Sequence, residues 1–331
     1  MKTIQLGKNG PNCYPIGLGC MGMSDFYGPA DDEESLRTLH AGIESGINLL
    51  DTGDFYGMGH NEMLIGQALK HHDRSKLILS VKFGAQRDPG GNWVGLDTRP
   101  SAIKTALAYT LKRLGTDYID IYRPARLDAQ VPIEDTVGAI ADMVRAGYVR
   151  HIGLSEMGSE TIRRAAKVHP ICDLQIEYSV LSRGVEDSIL GTCRELGIGI
   201  TAYGVLSRGL IGGNFKSEEF AKGDFRSYSP RFQPGNLEKN QSLIARLTEL
   251  ANSKGVSVAQ LAIAWVAAQG QDILPLVGAR QTHRLLESLK SSSINLTSEE
   301  LMAIDQAVPK GSAVGTRYAQ LQMSHLDSER G

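Results

Sequence analysis

The amino-acid sequence predicts a closed (β/α)8 TIM barrel, folded as a single domain with a long loop after its seventh strand and helices at its C-terminal end. Three observations lead there. Eight short, strongly apolar runs recur along the chain, each followed by a longer amphipathic stretch. Strands alternating with helices form a parallel sheet, and a parallel sheet covered on both faces reads as continuous apolar runs. Eight such units fill about 300 residues, the usual size of the barrel, and no Pro/Gly/Ser linker splits the 331-residue chain in two.

The predicted strands are 16–20, 47–51, 77–83, 118–123, 151–155, 174–178, 198–203 and 273–277. Helical patterns occupy 34–45, 62–70, 100–114, 133–146, 160–168 and 186–196, with a longer pair before the last strand. Gly46, Gly147 and Gly197 fall where helices should stop, a place that favours a left-handed residue. Thr297 and Glu300 have the spacing of a capping box and should open a final helix. The stretch 211–237 breaks the rhythm with an irregular order of Gly, Lys, Phe, Arg and Pro. A loop this long in a compact domain is usually functional, and here it follows strand seven. Residues 311–331 read as a C-terminal tail.

Composition narrows the partners. A net charge of −2 gives no electrostatic case for nucleic acid or an anionic membrane, and no run of 18 apolar residues exists. Cys13, Cys20, Cys172 and Cys193 are scattered without the paired spacing of a disulfide framework or a zinc site, so no metal is expected. MKTIQLGKNG lacks the apolar stretch of a signal peptide. The expectation is a soluble, cytoplasmic protein acting on a small molecule.

Catalytic residues of such barrels collect at the C-terminal ends of strands. Asp51 and Lys82 each close an apolar run, and Tyr56 follows Asp51 by five residues. A lysine ending a buried strand is costly unless paired, and Asp51 on the neighbouring strand is the obvious partner. A structural salt bridge would account for those two alone. The tyrosine adds chemistry: a free phenol has a pKa of about 10, and an adjacent ammonium should lower it. In this reading Asp51 keeps Lys82 charged, Lys82 tunes Tyr56, and Tyr56 delivers a proton to a carbonyl oxygen.

The run from Gly46 through Asp51, Thr52, Gly53, Asp54, Phe55 and Tyr56 to Gly57, then Asn61, Glu62 and Gly66, resembles the signature region of the aldo-keto reductases. The likeness continues in order over nearly the whole chain, through Lys82, Gly153–Glu156, Gln175, Tyr203, Ser207–Gly209 and Gly278–Arg280, and is nearest to the pyridoxal reductase and YakC-like branch. It implies NADPH-dependent reduction of an aldehyde or ketone, with Asp51, Tyr56 and Lys82 as three of four catalytic positions. The fourth, a histidine in a Q-x-H-R-x-D context, falls on Ala125 in Arg123-Pro124-Ala125-Arg126-Leu127-Asp128. Alanine cannot hydrogen-bond a carbonyl, so either a nearby group such as Arg123 or a water compensates, or the enzyme is slow on ordinary aldehydes. His60 is expected on an exposed loop, and His151 at the far end of the barrel.

No G-x-G-x-x-G follows the first strand, which argues against a Rossmann site. The resemblance implies instead that nicotinamide stacks on Tyr203, with Ser155 and Gln175 holding its carboxamide. It assigns the pyrophosphate cover to Val205, Leu206, Ser207, Arg208 and Gly209, while Met21 and Gly22 follow the first strand. Gly278, Ala279, Arg280, Thr282 and Arg284 are placed at the adenosine 2′-phosphate, and Glu287 and Ser288 near adenine. A helix N-terminus with two arginines suits a phosphate. Ala125 keeps a second class open, a cofactor-binding regulatory subunit with little turnover. A third class, a barrel lyase or isomerase, would use Arg280 and Arg284 for a substrate phosphate.

Overall fold

Eight parallel strands close on themselves in a computed structural model whose described residues are 3–212, 220–221 and 223–330. In chain order the strands are β1 (Gly17–Gly19), β2 (Leu49–Gly53), β3 (Ile78–Phe83), β4 (Ile119–Pro124), β5 (Val149–Ser155), β6 (Ile171–Glu177), β7 (Gly199–Tyr203) and β8 (Ile273–Gly278). Each pairs with its sequence neighbours, and β8 pairs with β1 to complete the ring. The apolar runs become strands because helices cover them from outside and the barrel interior from inside: β2, β3 and β6 are buried at every residue.

The helices are α1 (Asp32–Glu44), α2 (His60–Leu69), α3 (Pro100–Leu114), α4 (Ile133–Arg145), α5 (Ser159–Val168), α6 (Ile189–Leu196), α7 (Asn236–Lys254), α8 (Val258–Ala268), α9 (Thr282–Leu289) and α10 (Ser298–Ala307). Local chemistry sets their ends. The Asp31 side chain accepts from the Glu34 amide at the start of α1, and Pro100 opens α3, where its missing N–H costs nothing. The expected capping box forms between Thr297 and Glu300 at the head of α10. Gly197 ends α6 with a φ of 71°, the left-handed geometry foreseen for it.

Two antiparallel hairpins escape the sequence reading. Ile4–Gln5 pairs with Asn12–Cys13 and brings Leu6 and Cys13 against Leu49, Ile78, Ile121 and Leu274, closing the bottom of the barrel. Ala85–Arg87 pairs with Trp93–Leu96 beyond β3. The irregular stretch after β7 becomes two 3-10 turns, Phe225–Tyr228 and Pro230–Phe232, before α7; residues 213–219 and 222 of it lie outside the described residues. The four cysteines are buried and free, and no helix among the described residues is long and apolar enough to cross a membrane.

Candidate active site

At the C-terminal rim, β2, β3 and β6 each turn a polar side chain inward. The Lys82 ammonium donates to Asp51 Oδ1, while Asp51 Oδ2 accepts from Ser80 Oγ and from Gln175 Nε2, both at 2.7 Å. Ser80 and Lys82 lie two apart on β3 and so share a face. Lys82 and Asp51 are buried, so the pair expected from their positions is formed where a lone ammonium would be costly. Tyr56 begins the turn Tyr56–Gly59 directly after β2 and is itself buried. Gly57, Met58 and Gly59 all have positive φ there, which reverses the chain and keeps the Tyr56 ring at the mouth. The ring centroid lies 5.4 Å from Lys82 Nζ.

The electrostatics differ from expectation in one respect. Burial pushes the Tyr56 phenol well above its ordinary pKa, and the Asp51 charge pushes it further; the strongest downward pull comes from Arg126, not from Lys82. Burial likewise drives Lys82 down, against the Asp51 charge that holds it up. Tyr56 therefore keeps its proton throughout the neutral range.

Beneath this cluster lies a second charged layer. Arg123 on β4 is fully buried; its Nη1 donates to Asp173 Oδ2 and its Nη2 to Ser80 Oγ, both at 2.9 Å, and Thr201 donates to the same Asp173 oxygen at 2.6 Å. Gly153 makes room for it: a Cβ there would stand 2.6 Å from Asp173 Oδ1 and 3.1 Å from Arg123 Cζ. Arg123 is thus committed below the mouth and does not take the place of the missing imidazole. Asp173 interrupts the apolar run of β6, and a charge at such a position signals a buried partner.

Ala125 is buried, its N–H donating to the Phe83 carbonyl at 2.8 Å. The next residue, Arg126, reaches the site instead. Its Nη2 lies 3.4 Å from the hydroxyl of Tyr318, which lies 2.8 Å from the hydroxyl of Tyr203. Tyr318 belongs to the C-terminal tail and bridges the ends of β4 and β7, with the Arg208 guanidinium 4.1 Å from its ring centre. Nothing periodic in the tail sequence marks it. His60 binds Ser24 and Asp32, and His151 sits early in β5.

The residues assigned to a cofactor lie on the ends of β1, β5, β6, β7 and β8 and on the segments that follow them. Ser155 ends β5 beside Gln175 in register, and its buried hydroxyl has no partner among the described residues. Buried hydroxyls are normally satisfied, so an orphan at a strand end fits a ligand amide. Met21 and Gly22 form the turn after β1, and Gly19 pairs with Gly278 across β1 and β8, so neither strand end carries a side chain at that point. Val205 is buried and Leu206 partly so, while Ser207 and Arg208 take φ values of 48° and 62°. Ser207 meets Ser179 at 3.1 Å, Arg208 pairs with Glu177 at 3.0 Å, and Gly209 closes the turn. Arg280, just after Ala279, donates to the Tyr27 and Pro29 carbonyls at 3.1 and 2.9 Å. Thr282 opens α9, its amide donating to Glu34 Oε1 at 2.8 Å. Arg284 is exposed, 3.7 Å from Glu287, and Ser288 bonds the Arg284 carbonyl within the helix.

The aldo/keto reductase family model matches residues 15–309. The chain belongs to the aldo/keto reductase family. A probable aldo-keto reductase 1 of Glycine max is 38% identical over 320 residues, 96% of this chain and 92% of the relative. The NADP(+) aldo-keto reductase yakc of Schizosaccharomyces pombe is 38% identical over 322 residues, covering 96% and 95%. The structure of a glycerol dehydrogenase from Gluconobacter oxydans superposes with a TM-score of 0.83 at 28% identity, covering 98% and 96%.

Proposed function

We propose that this protein reduces an aldehyde or ketone to the corresponding alcohol, with NADPH as hydride donor and Tyr56 as proton donor. The observation that carries the reading is the Asp51–Lys82 ion pair set beneath a buried, protonated Tyr56 at the C-terminal rim. The orphaned Ser155 hydroxyl and the Gln175 amide beside it suit the nicotinamide end of the cofactor. When bound, NADPH supplies the hydride that reaches the carbonyl carbon.

The protein's own residues act on the oxygen. The buried phenol O–H points its proton at an oxygen that becomes alkoxide-like as the C–H bond forms, and a strong base accepts readily even from a phenol of raised pKa. Gln175 and Ser80 hold Asp51 in place, Asp51 holds Lys82, and the ammonium stabilises the phenolate left after transfer. A low-dielectric mouth strengthens each of these contacts.

The test is Tyr56→Phe, which keeps the ring and removes the proton. Turnover with NADPH and 4-nitrobenzaldehyde should fall by roughly 100-fold or more, while NADPH affinity measured by fluorescence stays near that of the unaltered protein. Undiminished turnover would exclude Tyr56 as the acid. Cofactor binding without turnover of any carbonyl would favour the regulatory subunit that Ala125 leaves open.

A further inference from the structure

Arg126 is a guanidinium at the barrel mouth that no described carboxylate contacts; Glu156 reaches it only through its longer-range charge. The inward-facing arginines near it are each matched: Arg123 with Asp173 at 2.9 Å, Arg208 and Arg231 with Glu177 at 3.0 and 3.5 Å, and Arg317 with Glu156 at 2.8 Å. The polar contacts of Arg126 are to neutral oxygens, the Ala125 carbonyl at 2.6 Å and the Tyr318 hydroxyl at 3.4 Å. Arg126, Arg208, Arg231 and Arg317 thus share three carboxylates, Glu156, Glu177 and the more exposed Glu329. The group thus carries one excess positive charge, and Arg126 is its member without an ion-pair contact to a described carboxylate.

Its place in the fold makes that excess useful. Arg126 follows β4 directly, and β4 pairs with β3 so that Arg123 is opposite Lys82 and Pro124 opposite Phe83. The guanidinium therefore adjoins the strand end that carries Lys82, and Tyr318 links it to Tyr203 across the mouth. A partly buried cation without a counter-charge is costly, and the cost is recovered when an anion arrives. A guanidinium presents parallel N–H groups that match the two oxygens of a carboxylate. A single surplus charge suits a monoanion better than a phosphate dianion.

We propose that the substrate is an aldehyde bearing a carboxylate, and that the Arg126 guanidinium binds that carboxylate. This rests on the reductase reading above and adds the substrate class to it. Arg126 sets specificity by a contact made in ground state and transition state alike, so its effect falls on KM.

The experiment compares 4-carboxybenzaldehyde with its neutral isostere 4-formylbenzamide, each with NADPH and the full chain. The acid should be favoured roughly 10- to 100-fold in kcat/KM, the range of a hydrogen-bonded charge pair. Arg126→Met should bring that ratio close to one, mainly by raising KM for the acid, while Arg126→Lys keeps part of it. Calorimetry with benzoate and the NADP+-saturated protein should show binding that Arg126→Met abolishes. A ratio near one in the unaltered protein overturns the proposal. So does an Arg126→Met loss of equal size on both aldehydes, which would give Arg126 to the carbonyl or to the fold. If neither aldehyde is turned over, the reductase reading falls, and the calorimetric arm still decides whether Arg126 takes a carboxylate.

Discussion

Glu156 grips Arg317 through two parallel hydrogen bonds, Oε1 to Nη1 at 3.0 Å and Oε2 to Nη2 at 2.8 Å, across 161 residues of sequence. Glu156 has a φ of 52° at the end of β5, a strained geometry for a residue with a side chain. Its carboxylate also accepts from the Glu177 amide, the Tyr203 hydroxyl and Ser328 Oγ at 3.0, 2.7 and 2.6 Å. This one side chain ties the barrel rim, the tail and Tyr203 together. Burial alone would raise its pKa, but Arg317, with Arg126 and Ser328 in support, outweighs burial and holds the carboxyl well below the usual range.

Arg317→Met should therefore destabilise the protein markedly. It leaves Glu156 buried and uncompensated, a loss of about 3–5 kcal/mol. The melting temperature should drop by roughly 5–10 °C in a chain of this size, and Glu156→Gln in the same background should restore part of it. A melting temperature unchanged by Arg317→Met would show that the tail contributes nothing through this pair.

Asp54 gives a pH dependence of the opposite kind. Burial, then the Glu62 charge, raises its carboxyl to about 7, Oδ1 has no hydrogen-bond partner among the described residues, and the residue lines a surface cleft of about 710 Å³. In the unfolded chain the group titrates near 3.8. Between those values the folded protein binds the extra proton, so this group's contribution to stability falls as pH rises through the window and levels off above it. Asp54→Asn should remove that slope and stabilise the protein at pH 8 by about 1–2 kcal/mol. Urea unfolding of both proteins from pH 5 to pH 8 is the check, and a difference that stays constant with pH would refute it.

The eight strands, the helices and the Asp51–Lys82 pair were legible because each follows from a local rule: apolar runs, capping residues, a charge at a strand end. What stayed hidden depends on contacts between distant residues. The hairpin strands Ile4–Gln5 and Asn12–Cys13 have two residues each, too few for any periodicity. Arg123 shows in the sequence as a charge near a strand end, but only its long-range contacts to Asp173 and Ser80 turn it inward while Arg126 stays at the mouth. Arg317 and Tyr318 lie in a tail without pattern, and their importance comes wholly from Glu156, Tyr203 and Arg126. The phenol of Tyr56 was misjudged for the same reason, since the sequence shows the neighbouring cation and not the depth of burial.

The cofactor's phosphate end yields the last prediction. Arg280 Nη1 is already anchored on the carbonyls of Tyr27 and Pro29, so its guanidinium is held in place before any ligand arrives, while no described residue accepts from its Nη2. Arg284 is different: its side chain is 61% exposed and has only a long contact to Glu287, the kind of surface pair that contributes little. The first amide of α9 donates to the Glu34 carboxylate, which that bond and Arg37 hold down at about 2, so a phosphate there meets a negative neighbour and depends on a nearby cation to offset it. Arg280→Ala should thus lower the preference for NADPH over NADH by roughly 10-fold or more, and Arg284→Ala by clearly less, with dissociation constants measured by fluorescence for both nucleotides. Equal losses for the two cofactors on Arg280→Ala would mean that the guanidinium orders the Tyr27–Pro29 turn without touching a 2′-phosphate.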